Sequence, residues 1–154
     1  PPRTEGEYQS QTINASGDET NNREADMTEQ QRQNLKKWTP IKVEHKLVPN
    51  SSEIQTIKNF IDWCRQHHIK VFATWPNTIW FDRYQAPIYQ EFFQDLDKFY
   101  QSIGVPVLGT YRDFMYDISL FYDTRYHLND RGRFYRTKQL LDLLRSETIQ
   151  SFYL

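Results

Sequence analysis

Between positions 52 and 145 the chain switches repeatedly between two hydrophobic periods, and that alternation restricts its fold more than any other feature. Ile54, Ile57, Phe60, Ile61 and Cys64 recur at helical spacing, so 52–67 reads as an amphipathic helix. IKVFATW follows directly and is bounded by Pro76 and Asn77, which makes it a short buried strand. APIYQEFFQDLDKFYQSIG then repeats an apolar face at Ile88, Phe92, Leu96, Phe99 and Ile103. Gly104 is placed to end that helix in the left-handed conformation. GVPVLG is a second short strand, and a long loop runs from it through Asp123 and His127. A last helix spans about 130–145, with Leu140, Leu141 and Leu144 expected to face inward. Strands alternating with helices predict an α/β fold, a parallel sheet covered by helices.

The first fifty residues differ in character. Positions 1–26 are rich in Ser, Thr, Asn and Glu and nearly free of aliphatic side chains. Such a segment buries too little apolar area to offset its ordering entropy, so alone it is expected to be mobile, or ordered as a lid over something else. Thr28 and Gln31 have capping-box spacing and predict a short polar helix. Thr39 precedes Pro40 and is biased away from helical dihedrals, which ends it. IKVEHKLVP suits an extended linker or an edge strand. The expected division is a polar, partly disordered or lid-like segment over 1–50 and an α/β domain over 51–154.

At 154 residues the chain is long enough for one domain with a real core, and 10 Tyr, 10 Phe and 4 Trp can fill it. A formal net charge of -1 argues against a nucleic-acid footprint, which needs a basic face. Arg131, Arg133, Arg136 and Lys138 cluster near the last helix start and are expected to form a solvated face. The single cysteine, Cys64, excludes an internal disulfide and a Cys-based zinc site. His67 and His68 are neighbours at a helix end and do not share a face, so they favour the helix dipole rather than a metal. No apolar run approaches the ~20 residues that cross a membrane, and no signal peptide stands out. The start PPRT, without a methionine, is expected to mark a processed or truncated piece.

In open α/β sheets, ligands bind beyond the carboxyl ends of the strands. WPNT (75–78) and the loop after GVPVL both fall there. An aspartate facing a histidine fixes the ring's tautomer and stabilises the imidazolium that forms when the histidine takes a proton. Asp123 and His127, four residues apart, can meet if the loop turns back. The alternative is architectural: Asp123 caps a turn and His127 packs at the helix entrance. Trp75, Asn77 and Trp80, with Arg125 and Tyr126 from the later loop, could line a substrate cleft as a sugar or acyl platform. Equally, those rings could pack beneath the loop.

GVPVLG, YDTRYHLNDRG and FYRTKQLLDLL, taken in that order, resemble the C-terminal part of the SGNH/GDSL hydrolase superfamily, and ATWPNT is similar to its penultimate strand. The resemblance covers roughly 52–145 and implies a three-layer α/β/α domain with a flavodoxin-like parallel sheet, incomplete in this chain. It implies Asp123 as the orienting acid and His127 as the general base. It further implies an esterase or acyltransferase acting on acyl esters, carbohydrate O-acyl esters among them, with no metal or organic cofactor. An extracytoplasmic location is compatible with it. Two departures stand out. The family's motif has two residues between Asp and His, whereas Thr124, Arg125 and Tyr126 intervene here, leaving Asp117 as a second candidate acid. No Gly-Asp-Ser nucleophile turn is present; the nearest string is ASGDET, with Glu19 where serine would stand. The nucleophile is therefore expected on a missing N-terminal half of the domain, which would be this chain's partner. Asn14, Asn21 and Asn22 are equal candidates for an oxyanion donor. The rival reading is a non-catalytic α/β binding or scaffold domain that uses the aromatic stretch to hold a ligand.

Overall fold

A computed structural model describes residues 12–16, 20–43, 48 and 50–152, the last six as helix backbone alone. Helix α1 (Glu29–Leu35) starts at the capping box: Thr28 Oγ1 accepts the Gln31 N–H at 3.2 Å, and Gln31 Oε1 accepts the Thr28 N–H at 2.8 Å. Residues 41–43 follow without regular structure, and positions 44–47 and 49, where an edge strand was one expectation, lie outside the described residues.

Helix α2 (Ser52–Gln66) is capped by Ser51, whose hydroxyl accepts the Ile54 N–H. It buries Ile54, Ile61 and Cys64 but leaves Phe60 exposed, a narrower stripe than the periodicity suggested. Helix α3 (Pro87–Ser102) begins with proline at its first turn, where the missing N–H costs nothing. Its buried face is Tyr89, Phe93 and Phe99, while Ile88 is half exposed. Of the expected stripe, Phe99 is buried and Phe92 and Leu96 pack against the core; the buried face also takes in Tyr89 and Phe93, because they pack against the buried Tyr84 ring, at 5.2 and 6.0 Å between centroids. Gly104 ends the turn after α3 at φ +68°.

The strands are much shorter than their apolar runs. IKVFATW contributes only β1 (Ala73–Thr74), and GVPVLG only β3 (Val107–Leu108). These two pair in parallel, Ala73 opposite Val107 and Thr74 opposite Leu108. A second parallel pair joins β2 (Thr78–Ile79) to β4 (Met115–Tyr116). Two-residue strands leave too little period-2 signal to be found in a sequence, so β2 and β4 were not foreseen. Helix α3 lies between β2 and β3 in the chain, so one helix serves both parallel connections. The result is a mixed helix and strand structure with two small parallel sheets.

The last helix, α4 (Asp130–Phe152), runs further than expected. Leu140 and Leu143 pack against the core, whereas Leu141 and Leu144, expected inward, are exposed. The core is largely aromatic: Tyr84, Phe114 and Phe121 are fully buried, and Phe93 stacks on Tyr111 with centroids 4.3 Å apart. Met27 and Leu35 join the same core from the polar segment. Tyr84 Oη accepts the Ile41 N–H at 3.1 Å and Tyr89 Oη donates to the Ile41 carbonyl at 2.9 Å, which ties the chain after α1 to α3. Burial pushes the Tyr84 hydroxyl above its ordinary range, partly offset by that bond from Ile41. No described helix is long and apolar enough to cross a membrane.

Candidate functional site

The loop before α4 closes on itself. Phe121 and Leu128 form an antiparallel bridge, and the Tyr122 N–H donates to the His127 carbonyl at 2.8 Å. Inside this clasp, Thr124 Oγ1 accepts the His127 N–H at 3.1 Å and the Tyr126 N–H at 3.4 Å. A hydroxyl that accepts N–H groups two and three residues on stabilises a tight turn. The turn folds Asp123 back over His127, and Asp123 Oδ1 lies 2.8 Å from His127 Nδ1. The three-residue spacing therefore does not part the pair, because Thr124 takes up the extra residue. Asp117, the other candidate acid, caps the 3-10 turn at Ile118–Leu120. Bonds from the Ser119 hydroxyl and N–H hold its carboxyl below the usual range.

A carboxylate facing Nδ1 places the ring proton there and leaves Nε2 with a lone pair. Nε2 makes no hydrogen bond among the described residues, and His127 lines a cavity of about 330 Å³. Asn22, Asn77, Tyr126, Arg133 and Arg136 share that lining. Both members of the pair are 38% exposed, so the dyad lies at the surface rather than in the core.

The helix entrance holds the loop in place. Asn129 is fully buried; its Nδ2 donates to the Ser119 carbonyl at 2.8 Å, and its Oδ1 accepts the Gly132 N–H at 2.9 Å. The second bond satisfies one of the orphan donors of the first turn of α4. Part of the polar segment braces the other side. Asn22 Nδ2 donates to the Leu128 carbonyl at 3.0 Å, the Asp130 N–H donates to the Asn22 carbonyl at 3.0 Å, and Asp130 Oδ1 accepts the Glu24 N–H at 2.9 Å. After α1, the Trp38 indole donates to the Asp123 carbonyl and Arg125 Nη1 donates to the Thr39 carbonyl.

The Glu24 N–H is the main reason the Asp130 carboxyl lies below its ordinary range. A depressed folded value contributes stability above the unfolded value, about 3.9, and loses it as pH falls through the folded one. Acidification below about pH 4 is thus expected to release the Glu24 amide to solvent exchange before α4 opens. Simultaneous exchange of Glu24 and mid-α4 amides would contradict this.

The aromatic platform does not assemble. Trp75 is buried, edge-on to Phe93 and Tyr111, and its carbonyl accepts a bond from Arg136 Nη2 at 3.2 Å. Trp80 carries the Arg112 guanidinium 4.0 Å above its ring and donates its indole N–H to Asp82. Asn77 and Tyr126 do meet, Asn77 Nδ2 donating to the Tyr126 carbonyl, and both line the cleft. Arg125 lies over the Tyr126 and Trp38 rings, 4.9 and 5.4 Å from their centroids, and clamps the loop from outside.

Of the three candidate asparagines, Asn22 alone lines the cleft, and it is 95% buried, its relative exposure being 5%. The basic cluster divides. Arg131 pairs with Glu24 and Lys138 with Asp142 on the solvated face, as expected. Arg133 and Arg136 line the cleft; Arg133 is exposed, as expected, whereas Arg136 is half-buried. Their spacing of three, one turn of a helix, was the signal that could have separated them. Among the described residues no group of three His, Cys, Asp or Glu side chains converges as a metal site would require. No protein-family model matches this chain, and neither the curated proteins nor the solved structures compared with it gave a match.

Proposed function

We propose that this chain carries the acid–base pair of an ester hydrolase or acyltransferase of the SGNH/GDSL kind, with His127 as general base and Asp123 as its orienting acid. One observation carries the reading: the 2.8 Å contact from Asp123 to Nδ1, with Nε2 left unbonded in a residue that lines an open cleft. That is the preparation a base needs before it accepts a proton from a hydroxyl. The substrates are acyl esters, carbohydrate O-acyl esters among them. The three-layer α/β/α domain belongs to the same proposal, and the two small parallel sheets are compatible with it.

The nucleophile is the missing piece. Among the residues lining the cleft, only Tyr126 and Thr137 carry hydroxyls, and the resemblance assigns the attack to a serine found in no Gly-Asp-Ser turn here. Without a nucleophile, turnover falls by as much as about 10⁶ in enzymes of this logic. What remains is base-assisted attack by water on an activated ester. The chain is expected to hydrolyse an aryl acetate slowly, and His127→Ala to lower that rate by about 10²-fold or more. Trp80→Ala, outside the cleft lining, should leave the rate alone. A His127→Ala chain that matches the wild type, fast or slow, would remove the dyad from the chemistry.

A further inference from the structure

The geometry of the dyad needs a cause beyond its own bond. An exposed ion pair contributes little to stability, whereas ordering each loop residue carries an entropic cost. With both side chains 38% exposed, the contact between Asp123 and His127 is too weak to shape the loop that creates it. The residues between them must be held by something else. Thr124 accepts the N–H groups of Tyr126 and His127, bonds that stay within the turn. Arg125 and Tyr126 tie the turn to the rest of the molecule. The Ile79 N–H of β2 donates to the Arg125 carbonyl at 3.2 Å, and Asn77 Nδ2 donates to the Tyr126 carbonyl.

Arg125 adds a side-chain anchor. Its Nη1 donates to the Thr39 carbonyl at 2.9 Å, and its guanidinium lies 5.4 Å from the centre of the Trp38 ring and 4.9 Å from that of Tyr126. A hydrogen bond from a charged donor is stronger than one between neutral groups, and a cation beside aromatic faces adds to it. The chain it grips is itself fixed. Two positions after Thr39, Ile41 bonds to the Tyr84 and Tyr89 hydroxyls, and the Trp38 indole reaches the Asp123 carbonyl at 3.4 Å. A continuous path thus runs from two buried tyrosines through Ile41 and Thr39 to Arg125, the middle residue between the acid and the base. Arg125 is not among the cleft-lining residues, and its Nε is shielded from solvent. Its guanidinium is committed to this clamp rather than offered to a substrate.

We infer that Arg125 is a positioning residue for the base. By pinning the dyad turn to the chain after α1, it keeps Asp123 against Nδ1 and so fixes the tautomer in which Nε2 carries the lone pair. The tautomer follows from geometry whatever the reaction; only the effect on ester turnover rests on the proposed hydrolase chemistry. A guanidinium suits the task because its planar fork donates and lies against a ring at the same time. Without that pin the turn lets Asp123 swing to solvent. Neutral His127 then returns to the Nε2–H form that a free imidazole favours in water.

The test reads the tautomer of the neutral His127 ring by nitrogen NMR on the full chain, beside the ester rate. Arg125→Met keeps an aliphatic stem and removes the donor and the charge. It is expected to convert His127 from mainly Nδ1–H to mainly Nε2–H and to lower the ester rate about tenfold or more, since a misplacement of ~1 Å can cost about a hundredfold. Arg125→Lys, which can still donate and still places a cation by the rings, should restore the Nδ1–H form. In an Asp123→Asn background, Arg125→Met should change the rate by less than about twofold, because a residue that acts through Asp123 then has nothing left to position. If Arg125→Met does not fold, Trp38→Ala at an exposed position is read in its place. That change removes the ring beside the guanidinium and the bond to the Asp123 carbonyl, and it should shift the tautomer the same way. A folded Arg125→Met or Trp38→Ala chain whose His127 stays Nδ1–H would overturn the positioning role. So would an Arg125→Lys chain that behaves as Arg125→Met does. A tautomer that follows Arg125 beside an ester rate indifferent to His127→Ala would keep the positioning role and sink the hydrolase. A rate that falls on His127→Ala beside a tautomer indifferent to Arg125 would do the opposite.

Discussion

The Asp123→Asn chain is expected to lose about as much of its slow ester-hydrolysing rate as the His127→Ala chain, about a hundredfold, with its unfolding temperature unchanged. The reason lies in one proton. A carboxylate can only accept, so it keeps the imidazole proton on Nδ1 and the lone pair on Nε2. A carboxamide can present its NH₂ to Nδ1 at the same 2.8 Å separation, which moves the ring proton to Nε2 and leaves that nitrogen without a lone pair for the proton transfer. It also lacks the negative charge that stabilises the imidazolium as it forms. Stability should barely respond, since both side chains are 38% exposed and surface pairs of this kind contribute about 0–1 kcal/mol. The same substitution separates the two readings of the loop. Asparagine caps turns as well as aspartate does, so an architectural Asp123 would tolerate it in full. Measuring kcat/KM beside a melting curve decides between them: a full rate in the asparagine variant makes Asp123 a cap.

Gly132→Ala should destabilise the fold by about 2 kcal/mol, although alanine is the better helix former. Gly132 lies in the first turn of α4, and a Cβ built there would stand 2.2 Å from the Leu120 carbonyl oxygen and 3.0 Å from Leu128 Cδ2. The oxygen cannot retreat freely, because it accepts the Asn129 N–H at 3.0 Å. The helix gains about 1 kcal/mol from alanine. Overpacking costs about 1–3 kcal/mol and more where backbone must move, so the clash prevails. For a chain of this size that is a fall of roughly 4–8 °C in Tm. Urea unfolding checks it, and the ester rate should fall with it, since Leu120 and Leu128 bracket the dyad loop. An alanine variant more stable than wild type would mean that α4 does not press on that loop.

Legibility was uneven for physical reasons. The start of α1 was readable because a single side chain, Thr28, sets it, and a cap is a local bond between neighbours. The full width of a buried helix face was less so: in α3 the expected stripe held Phe99, Phe92 and Leu96 against the core but missed Tyr89 and Phe93. Only the position of Tyr84 decides that Tyr89 and Phe93 turn inward. The strands were overdrawn because apolar runs record burial, whereas a ladder needs a neighbouring backbone. The basic cluster shows the same limit, since a charge count cannot tell Arg131, paired to Glu24, from Arg136, turned toward Trp75.

The sequence by itself determined the main helices and two of the four short strands, the capping box at Thr28, the left-handed end at Gly104 and the placing of an acid four residues before a histidine near the last helix. Each depends on residues a few positions apart, whose geometry the backbone dictates. Tertiary structure alone decided that Thr124 absorbs the extra loop residue and that Trp75 belongs to the core. It alone brought Asn22, Asn77, His127 and Arg136 around one cavity. Asn22 and His127 are 105 positions apart, and only the closing of the chain over its aromatic core brings such groups into reach.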